Sequence, residues 1–391
     1  MNRRRGLAAL FFIALLLLVA AVWRLIQPAP QGGLRLARAH FPDLPGWATN
    51  DPRRALLAFQ RSCTALAKAP SSTPMGGYAG TAGDWRPVCD AAKTADINAA
   101  RDFFEQWFQP LLVSSNAGTE GLFTGYYEPE LHGSIARHGR YRTPVYGVPV
   151  DLVTVDLGAF RTSLKGEHIS GRVEHHRLIP YASRAEIDDG GLPQAPVLFY
   201  ADDPVAVFFL HIQGSGRVAL DDGTRERVAY AGENGRPYTP VGRTLIAKYG
   251  LSKDKMSMQA IRAWLAAHPD KARNVMESDE SYIFFKLAPL GDPALGATGA
   301  QGVPLTPQAS IAVDPRLHPL GVPFFIATAA PDGGKLEKLF VAQDVGGAIR
   351  GAVRADIFFG FGADAERLAG GMKGAGQMYV LLPKPVAQHL K

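Results

Sequence analysis

The chain has 391 residues, enough for two domains of ordinary size around a substantial core. Its 47% hydrophobic and 20% charged content is that of a globular protein and excludes a disordered or fibrous chain. Arg3, Arg4 and Arg5 supply half of the net charge of +6; the remaining basicity is weak and scattered, and no nucleic-acid motif is present, so nucleic acid is excluded as a partner.

The first segment, MNRRRGLAALFFIALLLLVAAVWRLIQPAP, is a basic start, an apolar run from Leu7 to Trp23, then Arg24 and a proline-rich exit. A run of about 17 apolar residues is at the lower limit for a membrane span and above a usual signal h-region. The arginines stay in the cytoplasm, so the rest is exported to the periplasm. With no clean small-x-small cleavage site and with Trp23-Arg24 placed as an interfacial anchor, residues 1–30 read as an uncleaved inner-membrane anchor in preference to a cleaved signal. No cysteine follows the run, which speaks against a lipoprotein. Residues 31–50 read as linker.

Asp51-Pro52 reads as an N-cap with proline in the first helical turn, followed by Leu56, Leu57, Phe59, Cys63 and Leu66 on one helical face. PSSTPMGGYAGTAGDWRP reads as loop. Asp96 caps a second helix carrying Ile97, Phe103, Phe104, Trp107 and Phe108. Cys63 and Cys89 are the only cysteines; in an exported chain they read as a disulfide, and they have no metal-ligand spacing.

From Gly121 the texture is strand and turn: GLFTGYYEPEL, YRTPVYGVP, PVLFYADDPVAVFFLHIQGSGRVAL and RERVAYAGENGRPY, rich in β-branched and aromatic residues and bounded by Gly, Pro, Asn and Asp. Helical patterns return at Pro240–Tyr249, at Ser257–Ala267 and near DKARNVMES. SYIFFKL then reads as a buried strand. ASIAVD, VPFFIAT, KLFVAQDV, RADIFFG and QMYVLLPK follow at the spacing of an all-β barrel.

Candidate nucleophiles and metal sites are weak. HIQGSGRV lacks the G-x-S-x-G spacing of a nucleophile elbow, because Gly214 directly precedes Ser215. His175 and His176 are adjacent, would point apart on a strand, and do not form H-E-x-x-H. DVGGAIRG lacks the Lys-Ser/Thr ending of a phosphate loop. The aspartates are more informative. Asp314, Asp344 and Asp356 all stand at apolar-to-polar transitions of strand-like segments, where a barrel can bring distant sequence to one rim. Two carboxylates brought close do not both ionise readily, and a carboxylic acid kept protonated at a groove wall can protonate a glycosidic oxygen. Asx-type turn capping by the same residues is the alternative. Tyr126, Tyr127, Tyr141 and Tyr146, with polar neighbours and outside helical spacing, suit either sugar stacking or barrel packing.

The set TGYYEPEL, HIQGSG, YAGENGRPY, SMQAIRAWL, SYIFFK, VPLTPQASIAVDPRLHPLGVPFF and AQDVGGAIRGAVRADIFFGFG, in this order, resembles the membrane-bound lytic murein transglycosylase A family, over roughly Leu122 to Leu382. Its last part resembles that family's three-aspartate domain. The resemblance implies a mainly β fold: a double-psi β-barrel with a smaller inserted β-domain, plus a few helices. The division it implies is barrel and N-terminal helices over 51–128, insert over 129–287 and the rest of the barrel over 288–385, with a glycan groove between the two. It also implies cleavage of the β-1,4 bond between N-acetylmuramic acid and N-acetylglucosamine without water, the muramyl C6 hydroxyl attacking its own anomeric carbon. One carboxyl group then suffices as acid and later base, and by motif position it is Asp356. Asp344 and Asp314 match the other two aspartates, with roles in orienting the site and tuning its pKa. Thr124, Gly125, Tyr126, Gln213, Gly214, Ser215 and Lys286 carry over as substrate contacts. No cofactor and no metal are implied; the partners are peptidoglycan glycan strands and the inner membrane, and the chain is expected to be a monomer. Family members are commonly lipid-anchored to the outer membrane, and this chain departs from that in lacking the cysteine. Two competing expectations are a water-using glycoside hydrolase, with Asp344 as base, and a wall-binding module that grips glycan without cutting it.

Overall fold

Six strands close on themselves in the order β17 (Lys373–Pro383), β14 (Pro323–Ala329), β15 (Lys335–Val345), β13 (Ser310–Val313), β16 (Arg354–Phe361) and β3 (Gly121–Glu128), with β3 returning to pair with β17. Two neighbouring pairs, β13 with β15 and β3 with β16, are parallel, and the other pairings are antiparallel. This closed barrel, consistent with a double-psi β-barrel, leaves no free edge in the ring. The computed structural model describes residues 33–390 apart from 165–166 and 254–255. The apolar run from Leu7 to Trp23 lies outside the described residues, and among those no helix is long and apolar enough to cross a membrane.

The alternation expected of barrel strands fills the core with Phe123, Ile311, Phe324, Phe340, Ile357 and Val380, all fully buried. Outside the ring, β1 (Arg35–Arg38) pairs with β2 (Phe108–Ser114), which continues onto β17. Three helices pack beside this sheet: α1 (Arg53–Leu66), α2 (Ala82–Lys93) and α3 (Ala100–Trp107). Phe59, Trp85, Phe103, Phe104 and Phe108 form their shared aromatic core. A disulfide joins Cys63 on α1 to Cys89 on α2, with the Cα atoms 5.3 Å apart. The N-cap of α1 is Pro52, one residue later than expected, while Asp51 takes the Arg53 backbone N–H and guanidinium. Helix α2 starts inside the segment expected to be loop. Thr81 and Asp84 form a capping box that outweighs Pro87 in the helix interior.

Between β3 and β13 the chain leaves the barrel. A second sheet runs β12 (Ile283–Pro289), β11 (Arg225–Glu233), β10 (Gly216–Leu220), β4 (Glu130–Ser134), β9 (Val197–Ala201), β5 (Thr143–Tyr146). A three-stranded sheet, β6 (Val153–Asp156), β7 (His168–Glu174) and β8 (Arg177–Pro180), projects from it. The insert also holds α4 (Arg184–Gly190), α5 (Pro204–Gln213), α6 (Val241–Tyr249), α7 (Met258–Ala267) and α8 (Pro269–Met276). Helix α5 was expected to be strand. Its run Val205–Leu210 has no helical periodicity because the helix is buried nearly all round, and the decisive signal is local: the Asp203 side chain accepts from Val205 N with proline at the first position. His175 and His176 are not on a strand; they form the exposed β7–β8 turn, with φ of 48° and 63°.

Barrel and insert are locked by one buried ionic cluster. Glu128, the last residue of β3, accepts from Arg217 Nε at 2.9 Å, from Arg227 Nη1 at 2.5 Å and from the Ala297 backbone N–H. The Arg217 guanidinium also lies over the Phe361 ring, 3.4 Å from its centroid, at the end of β16. Removing one member of such a cluster leaves a buried charge unpaired, at a cost of about 3–5 kcal/mol.

Candidate active site

The register of three neighbouring strands sets the site. Ala312 on β13 is paired with Asp344 on β15 on one side and with Asp356 on β16 on the other, and Asp356 is paired in turn with Thr124 on β3. Asp344, Ala312, Asp356 and Thr124 therefore form one row across the barrel wall. Strand spacing puts the two aspartate backbones about 10 Å apart.

Each carboxylate has its own donors. Thr124 Oγ1 donates to Asp356 Oδ1 at 2.6 Å, and Arg354 Nη2 donates to Thr124 Oγ1 at 2.8 Å. Burial pushes the Asp356 carboxyl up; the Thr124 hydrogen bond and the Arg354 charge pull it down, the Asp344 charge pushes it up again, and the net displacement is upward. Tyr126 Oη donates to Asp344 Oδ2 at 2.9 Å, and the Ala300 backbone N–H donates to Oδ1 at 3.0 Å. Burial nevertheless raises Asp344 as well. The Tyr126 hydroxyl, itself raised by burial and by the Asp344 charge, keeps its proton as a donor.

The residue before Asp344 fixes it from behind. Buried Gln343 donates through Nε2 to the Ala58 carbonyl and to Ser62 Oγ on α1, both at 2.8 Å, and accepts from Ser310 Oγ at 2.5 Å. Alternation along β15 turns Gln343 into the core and Asp344 towards the groove.

Asp314 has a different place from the other two. It is fully buried and takes a two-pronged ion pair from Arg316, at 2.9 and 2.7 Å, plus the Gly351 N–H at 2.9 Å. Burial pushes its carboxyl up, but these donors and the Arg316 charge outweigh that, and it lies below the usual carboxylate range. Among the described residues no hydrogen bond joins it to Asp344 or Asp356. It holds the Gly351 backbone N–H in the loop that leads into β16.

A cleft of about 1290 Å³ separates barrel and insert. Asp344, Gly346, Gly347 and Arg316 line it from the barrel; Gln213, Gly214, Ser215, Tyr230 and Lys286 line it from the insert. Five of the residues named from the sequence thus converge on it. Gln213 Oε1 accepts from Tyr127 N at 3.0 Å, and Gly214, at φ 78°, caps α5 in a conformation that a side chain would strain. Asp356, Thr124 and Tyr126 do not line this cavity; they are half-buried on the adjoining part of the same barrel face. On the insert side Tyr238 stays 40% exposed as a residue, while its hydroxyl is pushed up to about 12 by desolvation and by the charges of Asp279 and Asp356. Gly125 faces the other way: a Cβ there would meet Phe359 Cε2 at 2.6 Å and Ala369 Cα at 2.9 Å, so its backbone packs against α9 (Gly362–Gly371).

Four contributors escaped sequence reasoning. Arg354 stands two residues before Asp356, on the same strand face, and period-2 alternation was a usable signal. Ala312 becomes visible only through register. Tyr238 and the Ala300 N–H carry no sequence signal for this role.

Comparison with known proteins agrees with this architecture. A model of the MltA specific insert domain matches residues 122–286, and a model of the 3D domain matches residues 309–382. Membrane-bound lytic murein transglycosylase A of Escherichia coli K12 is 33% identical over 276 residues, 68% of this chain and 66% of that protein, just under two thirds of its length. The crystal structure of a membrane-bound lytic murein transglycosylase from Agrobacterium tumefaciens superposes with a TM-score of 0.79 at 34% identity, covering 90% of this chain and 99% of that one. E. coli MltA with bound chitohexaose superposes with a TM-score of 0.65 at 26% identity, covering 91% and 97%. Insert, three-aspartate barrel and site row occur here together in one chain, which belongs to the membrane-bound lytic murein transglycosylase A family.

Proposed function

We propose that this protein cleaves the β-1,4 bond between N-acetylmuramic acid and N-acetylglucosamine in peptidoglycan without water, leaving a 1,6-anhydromuramic end, with Asp356 as the single acid and base. The observation that carries the reading is the upward displacement of Asp356 by burial while Thr124 holds its carboxyl in place. A protonated Asp356 gives its proton to the glycosidic oxygen as the bond to the anomeric carbon breaks. The muramyl C6 oxygen then bonds to that carbon, and the Asp356 carboxylate takes the C6 hydroxyl proton, restoring the acid. The nucleophile belongs to the substrate, so proximity supplies much of the rate and no second carboxylate is needed. Arg354, acting through Thr124, steadies the carboxylate that exists between the two proton transfers.

The hydrolase reading requires Asp344 as the base for a water molecule. Both of its oxygens already accept hydrogen bonds, and burial disfavours its charged form. The lyase reading therefore fits the geometry better. Gln213, Gly214, Ser215 and Lys286, which line the cleft, and Tyr126 beside it would contact the glycan, a reading supported by the chitohexaose bound by the E. coli relative. The disulfide and the membrane-bound relatives support a periplasmic location, with residues 7–23 as the inner-membrane anchor.

Mass spectrometry of fragments released from purified peptidoglycan by the full-length chain tests the reaction. Anhydromuramyl ends are expected. Reducing ends would establish the hydrolase, and bound but uncut glycan the binding module.

A further inference from the structure

The three-stranded sheet β6–β7–β8 has two unlike sides. Register puts Val153 and Val155 of β6, Ile169, Gly171 and Val173 of β7, and Leu178 and Pro180 of β8 together on one of them. No charged or hydrogen-bonding side chain stands in that set. The other side carries Thr154, Asp156, His168, Ser170, Arg172 and Glu174. An antiparallel sheet with one apolar side ordinarily packs that side on the body of the protein. Here the order is reversed. A Cβ on Gly235 would lie 2.8 Å from the Ser170 carbonyl oxygen and 3.0 Å from its Cβ, so the polar side is the one packed on the insert. His168, also on the polar side, lines the catalytic cleft. The apolar side is left exposed, Ile169 by 45% and Val173 by 59%, and Phe160 in the β6–β7 connection by 75%. A contiguous apolar patch of this kind marks an interaction surface.

The rest of the chain indicates what covers it. The described residues begin at Gly33, and only residues 24–32 separate them from the apolar run Leu7–Trp23. At 3.3–3.6 Å each, that stretch reaches at most about 30 Å, so the folded part is kept close to the bilayer that takes the run. Phe160 is followed by Arg161, which repeats the aromatic-basic pairing of Trp23-Arg24 and suits the boundary between hydrocarbon and headgroups. Over residues 150–180 the charges balance: Asp151, Asp156, Glu167 and Glu174 stand against Arg161, Lys165, Arg172 and Arg177. Neither an acidic nor a basic partner is selected by such a segment, whereas an apolar surface is.

We propose that the apolar side of this sheet rests on the lipid bilayer as a second membrane contact, with Phe160 at the hydrocarbon boundary. The proposal rests on the reading of residues 7–23 as the anchor and is independent of which residue performs cleavage. With this side on lipid, His168 and the cleft that it lines lie on the side of the sheet turned from the bilayer.

The native cysteines are bridged, so one added cysteine takes one label. Val173→Cys on the apolar side and Thr154→Cys on the polar side are each labelled with bimane in the full-length chain. Both are placed in phosphatidylcholine nanodiscs, with and without bromine on the acyl chains. Acyl bromine is expected to quench the Val173 label and to spare the Thr154 label, and aqueous iodide to do the opposite. Added salt should leave the result unchanged, because the contact is apolar. Phe160→Asp with Ile169→Asp, both at exposed positions, should abolish the quenching by lipid while the chain stays in the discs. Iodide quenching at both positions would place the sheet in water and overturn the proposal. Protection of the Val173 label from both quenchers would mean a protein cover, such as a second copy, and would overturn it as well. Elution of the chain apart from the discs would overturn the anchor together with the contact; co-elution with a water-exposed Val173 label would overturn the contact alone.

Discussion

Asp344 and Asp356 are separated by one strand and share one register partner, Ala312. Each has a hydroxyl donor from β3, Tyr126 for the first and Thr124 for the second, two residues apart on the same face. One short strand thus supplies a hydroxyl hydrogen bond to each carboxyl group, and the two can be distinguished by substitution without disturbing their backbone.

Asp356→Asn should lower turnover on purified peptidoglycan by a factor of about 10²–10⁴, the range for loss of a general acid. Asp344→Asn should cost less, because it leaves the proposed acid and its Thr124 donor in place. Product quantification by chromatography checks both, and a larger loss at Asp344 would reverse the assignment.

The same substitutions should stabilise the fold. Both carboxyls are raised on folding, so the stability each contributes is complete below the unfolded value near 3.9 and is lost as pH rises through the folded value. An asparagine does not titrate and escapes that loss, each tenfold displacement of the acid constant being worth about 1.4 kcal/mol. Asp356→Asn is expected to melt above the wild type at pH 7.5 and to lose that advantage at pH 4. Thermal unfolding at the two pH values decides it.

Thr124→Val keeps the side-chain shape and removes the hydrogen bond that lowers Asp356. The acid constant of Asp356 should move further up, and since the first step needs the protonated form, the alkaline limb of the pH–rate profile should move to higher pH. Tyr126→Phe acts on Asp344 instead and should leave that limb nearly in place.

Loss of the Cys63–Cys89 bridge, by reduction or by paired alanine substitution, should lower stability by roughly 3 kcal/mol, as the closed loop is 26 residues long. Turnover at room temperature should survive. Melting with and without reductant is the measurement.

Gly125→Ala introduces a Cβ where Phe359 and the α9 backbone already stand, and should destabilise the barrel by about 1–3 kcal/mol. A variant that melts normally but fails to bind glycan would return Gly125 to the substrate contacts.

What could be read beforehand divides along physical lines. The barrel strands VPFFIAT, KLFVAQDV and QMYVLLPK were legible because short apolar runs between turns leave few alternatives, and α1, α6 and α7 because their apolar faces are periodic. Helix α5 was not, since burial all round erased its periodicity, and α2 was hidden by a proline in its interior. The aspartates were visible as chemistry, but their unequal roles depended on register and partners. Asp314 looks in sequence like a third rim carboxylate; its ties to Arg316 and to the Gly351 N–H in the loop before β16 become visible only in the fold.

The anchoring of Gln343 to Ala58 and Ser62 bears on how the protein can be divided. The two recognised modules, 122–286 and 309–382, contain every aspartate of the row yet omit the helix that holds the chain immediately before Asp344. Cutting the gene at module boundaries would leave the Gln343 amide buried and without its α1 acceptors, at the back of the groove. A fragment that keeps these bonds therefore has to begin before Arg53, so the helix ahead of the barrel forms part of the floor under the groove.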